Sequence, residues 1–445
     1  MANTYLTRTQ VAGNRQIFTQ SFWCKICDTS GTQSLAGAFN DSNNYNYCYL
    51  DGGNLKLQWK QSGSVTATLD TNRKFRDPNA FYNIVYAVDT TQTTDSNRIK
   101  LYINGVQETS FSTATYPSLN RYTEVNDNGT TYNIGSASSG QNFNGIMSYV
   151  AFVDGTQELP GIFGETDSTT GEWKIKTSIT PSVAWGTNGF LILKNGNSLT
   201  DESSNSNNFT LGGGTLTNSE DCPDNVFATY NPLDNYYANS TFSNGNTTIV
   251  TNSGNTTYNT STLGIPPTMK CYWEAKFDTV QSANGEVGIV NTPTTGSAAG
   301  AYRLYYQTYG ISVNDGGAIW SANANTGITL GTLSTSDIVC FAWDGVNQAL
   351  YVRKNGDAWI NSGDPTSGAS KTGAVKSFSG TSLTMFPAVG DQSGSHAVGT
   401  STNFGNGYFA TTAISSAGTN ASGNGIFEYD TPTGYTALST KGLNL

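Results

Sequence analysis

Apolar and polar residues alternate in short runs along the chain, as in YNIVYAVD (82–89), RIKLYINGV (98–106), CYWEAKF (271–277) and ALYVRKNG (349–356). A period of two, bounded by Gly, Asn, Asp and Pro, predicts strands with one face toward a core and the other toward solvent. No stretch keeps a 3.6-residue periodicity long enough for a major helix. The pattern predicts an all-β protein made of two antiparallel β-sandwich (jelly-roll) domains in tandem.

An internal echo supports the two-fold organisation. Val85-Tyr86-Ala87-Val88-Asp89 is followed by a polar loop and by Lys100-Leu101-Tyr102-Ile103-Asn104-Gly105. Cys340-Phe341-Ala342-Trp343-Asp344 is followed by a shorter loop and by Ala349-Leu350-Tyr351-Val352-Arg353-Lys354-Asn355-Gly356. Each pair reads as a strand ending in Asp, a hairpin, and a returning strand that ends on the tight-turn dipeptide Asn-Gly. The polar stretch from Ser203 to Asn225 reads as a linker. The expected boundaries are a first sandwich over 1–165, a connecting region over 166–225 partly packed on the sandwiches, and a second sandwich over 226–445.

Composition narrows the picture. The chain has 445 residues, of which 12% are charged and 12% aromatic, with 49 Gly. Exposed strand positions must then carry Thr, Ser, Asn and Tyr in place of Lys and Glu. The formal net charge is −10, from 22 Lys plus Arg against 32 Asp plus Glu. So few cations argue against nucleic acid and against anionic membrane surfaces. No apolar run is long enough to span a membrane, and the first residues lack the apolar core of a secretory signal. The expectation is a protein made in a cytoplasm that reaches the outside as part of a released particle.

Several motifs carry a family resemblance. The first half has an opening strand with Phe22, Trp23 and Lys25, then FRDPNAFYNIVYAVD (75–89), KLYINGVQETSF (100–111) and YNIGSASSGQNFNGIMSYVAFVDG (132–155). It resembles the laminin-G/concanavalin A-like lectin jelly rolls. The second half has CYWEAKF (271–277), EVGIV (286–290), DIVCFAWDGVNQALYVRKNG (337–356), MFPAVG (385–390), NFGNGYF (403–409) and the ending TPTGYTALSTKGLNL (431–445). It resembles a SPRY domain. The pairing, with FATYNPLDN (227–235) between the halves, is similar to virion proteins of marine bacteriophages of the tail-fibre or lectin-like type. That resemblance implies a non-enzymatic virion surface protein, in a tail fibre or as a capsid decoration, that binds host-surface glycan or protein. It implies other virion proteins as partners and a homo-oligomer, plausibly a trimer, with no nucleic acid and no membrane insertion. A glycan depolymerase on the virion, or a capsid cement without host binding, are the rival readings.

The candidate chemistries are weak by comparison. Cys24 and Cys27 form a CxxC, but a structural zinc site needs four ligands, and Cys48, Cys222, Cys271, Cys340 and the lone His396 are isolated in sequence. On a strand, Cys24 and Cys27 point to opposite faces. Phe22, Cys24 and Ile26 are then expected in the core, and Trp23, Lys25 and Cys27 on the other face. Redox pairs of this type open a helix, and nothing after Cys27 reads as helical. The nearest approach to a glycosidase acid pair is Glu165, Asp167 and Glu172, whose spacing does not keep all three on one strand face. His396 reads as an exposed loop residue. Asp201, Asn205 and Asn207 cluster hard oxygen atoms that suit Ca²⁺, the one cofactor considered, although such turns more often satisfy their own backbone. Tyr302, Tyr305, Tyr306, Tyr309, Trp320 and Trp359 gather in the second half; Tyr302, Tyr305, Trp320 and Trp359 are the expected ligand contacts, because flat aromatic faces stack on sugar rings.

Overall fold

The computed structural model describes residues 4–137, 141–194, 196, 198–234, 240–252, 256–281, 283–292, 303–392 and 396–445. The chain is all-β and divides into two compact units, Met1–Asn218 with Cys222–Asp224, and Ser219–Asp221 with Asn225–Leu445.

In the first unit an eight-stranded sheet has the order β10 (Phe111–Thr115), β6 (Ser64–Lys74), β5 (Asn54–Gln61), β4 (Asn44–Asp51), β3 (Thr32–Asp41), β11 (Thr131–Ile134), β1 (Tyr5–Thr9) and β16 (Thr210–Gly213). A six-stranded sheet has the order β15 (Phe190–Ile192), β12 (Gly145–Asp154), β2 (Ile17–Ile26), β7 (Phe81–Asp89), β8 (Ile99–Ile103) and β9 (Val106–Gln107). β15 and β16 come from the stretch read as a connecting region, and they extend the edges of both sheets. Asn104 and Gly105, with φ of 48° and 77°, make the primed turn between β8 and β9 that the Asn-Gly dipeptide predicts. The core lies between the sheets: Phe18, Phe22, Cys24 and Ile26 from β2 meet Ile84, Tyr86 and Val88 from β7 and Leu35, Cys48, Leu50, Leu57 and Trp59 from the larger sheet.

The other face of β2 is also buried, which corrects the expectation of an outward Trp23, Lys25 and Cys27. These three are 3%, 0% and 1% exposed. The covering layer is the segment after β12, including the hairpin β13 (Gly164–Thr166)–β14 (Trp173–Ile175). Phe163 and Ile179 pack with Val85, Ala87, Tyr102, Ala151 and Val153 in a second apolar layer. The polar positions of β2 and β7 are satisfied by that layer. Thr19 Oγ1 donates to Thr156 O at 2.8 Å, Trp23 Nε1 to Phe163 O at 3.3 Å, and Trp173 Nε1 to Asn83 Oδ1 at 3.1 Å. A buried polar group without such a partner costs about 1–3 kcal/mol, so the covering segment has to match this face atom by atom.

In the second unit a seven-stranded sheet has the order β17 (Thr241–Ser243), β18 (Thr248–Val250), β29 (Gly399–Asn403), β20 (Lys270–Phe277), β25 (Ile338–Asp344), β26 (Ala349–Lys354) and β27 (Lys376–Ser377). It faces a six-stranded sheet of order β19 (Thr257–Thr260), β28 (Phe386–Asp391), β21 (Gly285–Val290), β22 (Ile311–Asn314), β23 (Ala318–Ser321) and β24 (Ala324–Thr329). Trp273 and Phe341 stack between them, ring centroids 4.9 Å apart and 5° from parallel. The outer face of β20, β25 and β26 carries Tyr272, Cys340, Ala342 and Tyr351, which pack under Phe427, Tyr435 and Ala437 of the C-terminal stretch. β20 and β25 are therefore buried on both faces, against the half-exposed pattern expected of them.

Two glutamates lie enclosed on these sheets. Glu274 accepts Tyr272 Oη at 3.0 Å, Asn403 Nδ2 at 3.2 Å, and the backbone N–H groups of Glu428 and Tyr429 at 3.0 and 2.9 Å. Glu286 accepts Ser312 Oγ at 2.8 Å and Leu304 N at 3.1 Å, with Arg303 and Asp391 as its charged neighbours. Burial raises both carboxyls from 4.5 to about 7, outweighing the hydrogen bonds that favour the anion. Between those values the folded state binds more protons than the unfolded one, so this stabilisation is full below pH 4.5 and is lost as pH rises through about 7. The Glu274→Gln, Glu286→Gln double variant is expected to flatten the fall in urea midpoint across that window; an unchanged slope would show that other groups set it.

The cysteines make no disulfide among the described residues, and five of the six are buried, Cys222 being half-buried. Burial pushes the thiols of Cys24, Cys48 and Cys271 up, and that of Cys340 to about 12. Titration of the native protein with a thiol reagent is expected to modify Cys222 and leave the other five until denaturant is added.

Candidate functional site

β4 and β5 of the first unit keep the alternating burial of a half-exposed sheet. In β4, NYNYCYLD, the residues Asn46, Cys48 and Leu50 point inward, and Tyr45, Tyr47 and Tyr49 stand half-buried on the outer face. The register sets their neighbours. Phe39 on β3 is opposite Tyr45, and Gly37 is opposite Tyr47. On β5, Lys60, Gln58 and Lys56 are opposite Tyr45, Tyr47 and Tyr49. A Cβ on Gly37 would lie 2.4 Å from Tyr47 Cδ1, so the glycine is what lets that ring lie across β3. Tyr45 and Tyr47 stack with centroids 4.4 Å apart and planes 16° from parallel. Phe39 and Tyr47 are 8° from parallel at 6.3 Å, an offset arrangement.

Polar groups border this aromatic shelf. Tyr45 Oη donates to Gln58 Oε1 at 2.9 Å. Lys60 Nζ lies 5.9 Å from the Tyr45 centroid, and Lys56 Nζ 6.0 Å from that of Tyr49. Lys56 is paired with Asp70 at 3.4 Å and Asp51 at 3.8 Å. Burial, reinforced by those two acids, holds the Tyr49 phenol above its ordinary range, and burial alone raises Tyr45. Tyr45 and Tyr49 therefore stay neutral, as hydrogen-bonding rims on apolar rings. Such a face can stack on the C–H surface of a saccharide while its hydroxyl, amide and ammonium groups meet the sugar hydroxyls. None of these residues was singled out in the sequence. The usable signal was the strict Tyr-x-Tyr-x-Tyr alternation of β4, which at strand period puts three large rings on one face.

The aromatic residues expected to contact ligand are not gathered into one site. Tyr302 lies outside the described residues. Tyr305 and Trp320 do meet, centroids 5.1 Å apart, with Tyr306 edge-on to Tyr305 at 4.8 Å. Tyr305 is 4% exposed, and its hydroxyl accepts Arg303 Nη1 at 3.1 Å, so its ring packs beneath the surface. Trp359 lies in the loop after β26, where the Arg353 guanidinium sits 4.7 Å from its centroid. Tyr309 packs edge-on to Phe378 at 5.2 Å.

The loop expected to suit Ca²⁺ is organised without one. Asp201 Oδ1 accepts the N–H groups of Leu191 and Ser203, both at 2.8 Å, and its Oδ2 accepts Ser203 Oγ at 2.7 Å and Asn207 N at 2.8 Å. Asn205 and Asn207 each donate to Gly189 O, at 3.0 and 2.8 Å, and Asn207 Oδ1 accepts the Arg8 guanidinium at 2.5 Å. The Asp201 carboxylate and Asn207 Oδ1 thus accept backbone N–H groups, the Ser203 hydroxyl and the Arg8 guanidinium. Among the described residues, no group of three or more His, Cys, Asp or Glu is placed to hold a metal ion. Glu165 and Asp167 lie on the β13–β14 hairpin with Lys174 Nζ at 3.5 and 3.2 Å. The N–H groups of Thr170 and Thr169, then Lys174, hold Asp167 at about 2, so it is an anion throughout the physiological range. His396 Nδ1 lies 3.5 Å from Asn284 Nδ2.

The chain's sequence matches no curated protein. The SPRY domain of human HERC1 is similar at 14% identity, TM-score 0.30, over 39% of this chain and 96% of that domain. A heptameric SAP-like pentraxin from Limulus polyphemus is similar at 14% identity, TM-score 0.27, over 34% and 70%. Domain 4 of AbnA, a GH43 extracellular arabinanase from Geobacillus stearothermophilus solved with arabinotriose, is similar at 18% identity, TM-score 0.26, over 34% and 66%. Residues 2–158, which include the whole aromatic shelf, match the family model of the concanavalin A-like lectin/glucanases superfamily.

Proposed function

We propose that this protein binds carbohydrate non-covalently through the outer face of β3, β4 and β5. The observation that carries the reading is the stack of Phe39, Tyr45 and Tyr47, half-buried side by side on the outer face of β3 and β4. Rings cost little conformational entropy to hold, and here packing already holds them. The match of residues 2–158 to a lectin and glucanase superfamily fits the same reading.

Binding without catalysis is supported by the state of the carboxylates. Glu274 and Glu286 are enclosed, and Glu165 and Asp167 are tied to Lys174. The setting we propose is the surface of a bacteriophage particle, in a tail fibre or a head decoration, on the resemblance of the pairing of the two halves to virion proteins. There, host-surface glycan is the ligand, and many copies, as homo-oligomers held by other virion proteins, turn a weak single contact into firm adsorption.

In calorimetry against polysaccharide extracted from the host envelope, Tyr45→Ala and Tyr47→Ala are each expected to weaken binding about tenfold, the loss of one stacking contact. Their melting temperatures should fall by only about 2–4 °C, because both rings are half-exposed. Unchanged affinity in both variants would sink the proposed face. New reducing ends accumulating over time would favour a depolymerase, and no affinity for any envelope fraction would favour a capsid cement.

A further inference from the structure

Two lysines border the aromatic shelf, and their situations differ. Lys56 is held between Asp70 and Asp51, so the Tyr49 end of the face is charge-balanced. Lys60, directly opposite Tyr45 in the register, has no carboxylate within 4.0 Å among the described residues. Its ammonium donates to Ser42 O at 3.0 Å, which leaves two of its three N–H groups uncommitted. Asp41, which feels the charge of Lys60, commits the hydrogen-bonding capacity of its carboxylate to its own turn. Its Oδ1 accepts Asn43 N at 2.7 Å, and both oxygens accept Asn44 Nδ2 at 3.0 Å. Those bonds hold Asp41 below its ordinary range, with Lys60 only the last contributor. In a chain with 32 acids and 22 bases, an ammonium with no ion pair within 4.0 Å among the described residues, beside a stack of rings, is a directional feature.

We infer that the saccharide bound here is acidic: a carboxylate-bearing pyranose of the uronic acid class, with its ring on Tyr45 and Tyr47 and its carboxylate at Lys60. This rests on the carbohydrate reading above and adds the charge of the sugar. The flexible four-carbon stem of Lys60 reaches a carboxylate at the edge of a ring stacked on Tyr45, and the charge-assisted hydrogen bond formed there is the strong kind. The opposite end of the shelf, where Asp51 and Asp70 lie beside Lys56 and Tyr49, disfavours a second carboxylate. The direction of the bound residue is thereby set.

The test is calorimetry of the full chain with alginate, polygalacturonate and hyaluronate, each alongside its carboxyl-reduced form. At least one acidic polymer is expected to bind about fivefold tighter than its reduced counterpart, the upper range for an exposed ion pair. That margin should vanish in Lys60→Gln and between about 20 and 500 mM NaCl, while Tyr47→Ala weakens both forms of the polymer alike. If reduction costs no polymer its affinity, or if Lys60→Gln leaves the margin intact, the acidic-sugar inference falls. Neutral polymers that still bind, and lose that binding with Tyr47→Ala, would leave the carbohydrate reading standing without it. If the acidic polymers bind no better than their reduced forms and Tyr47→Ala changes nothing for either, both readings fall.

Discussion

The rest of the structure depends on one constraint: most of its central strands are covered on both faces. β2 and β7 lie between the first core and the layer after β12, and β20 and β25 between the second core and the C-terminal stretch. A sheet face in contact with water needs polar side chains, whereas a covered one needs each polar atom to meet a partner in the layer above. The chain meets the second condition mostly with neutral groups, beside enclosed ions such as Lys25 on β2 and the Asp344–Lys270 pair of β25 and β20. Thr19, Asn83 and Trp23 are satisfied from above, and Glu274 is satisfied by the two N–H groups that fix Glu428 and Tyr429 over it. This accounts for a chain with only 12% charged residues. It also leaves few sheet faces open, and the aromatic shelf lies on one of them.

The fold class was legible in the sequence, and the coverage was not. Period-two alternation marks a strand whether its polar side meets water or a covering segment, because Thr, Ser and Asn serve either environment. So Phe22, Cys24 and Ile26 could be read as core, while Trp23, Lys25 and Cys27 on the same strand were read as outward and are sealed. The sealing residues, Phe163, Trp173 and Ile179, are more than a hundred positions away, and nothing local to β2 announces them. The Asn-Gly turn was legible for the opposite reason, since a positive φ is a requirement of the turn residues alone.

The surroundings of the candidate site residues were hidden in the same way. Tyr305 and Trp320 attract notice because aromatic residues crowd their segment, yet crowding in sequence favours packing, and Tyr305 is enclosed. Asp201, Asn205 and Asn207 look like a cation loop because they gather oxygen atoms. Which atoms those oxygens meet depends on Arg8, almost two hundred residues earlier. In β4 the face of each ring follows from the strand period. That Tyr47 lies flat follows from Gly37 on the neighbouring strand, which only the register brings opposite.

A recognition surface built on strands differs from one built on loops. Loops reshape on binding, at a cost in ordering, and gain adaptability from it. Here Tyr45 is fixed by Gln58 and Tyr47 by Gly37 and Phe39, and both ride on β4 between two neighbouring strands. Little order remains to be imposed when a ligand arrives, so a small shelf can retain most of its stacking energy as affinity. The same rigidity limits what it accepts to ligands with flat C–H faces at the spacing of the rings. If the acidic saccharide proposed above is the ligand, Lys60 at one end of the shelf would distinguish the two directions along a chain of sugars, a selectivity that ring stacking alone cannot supply.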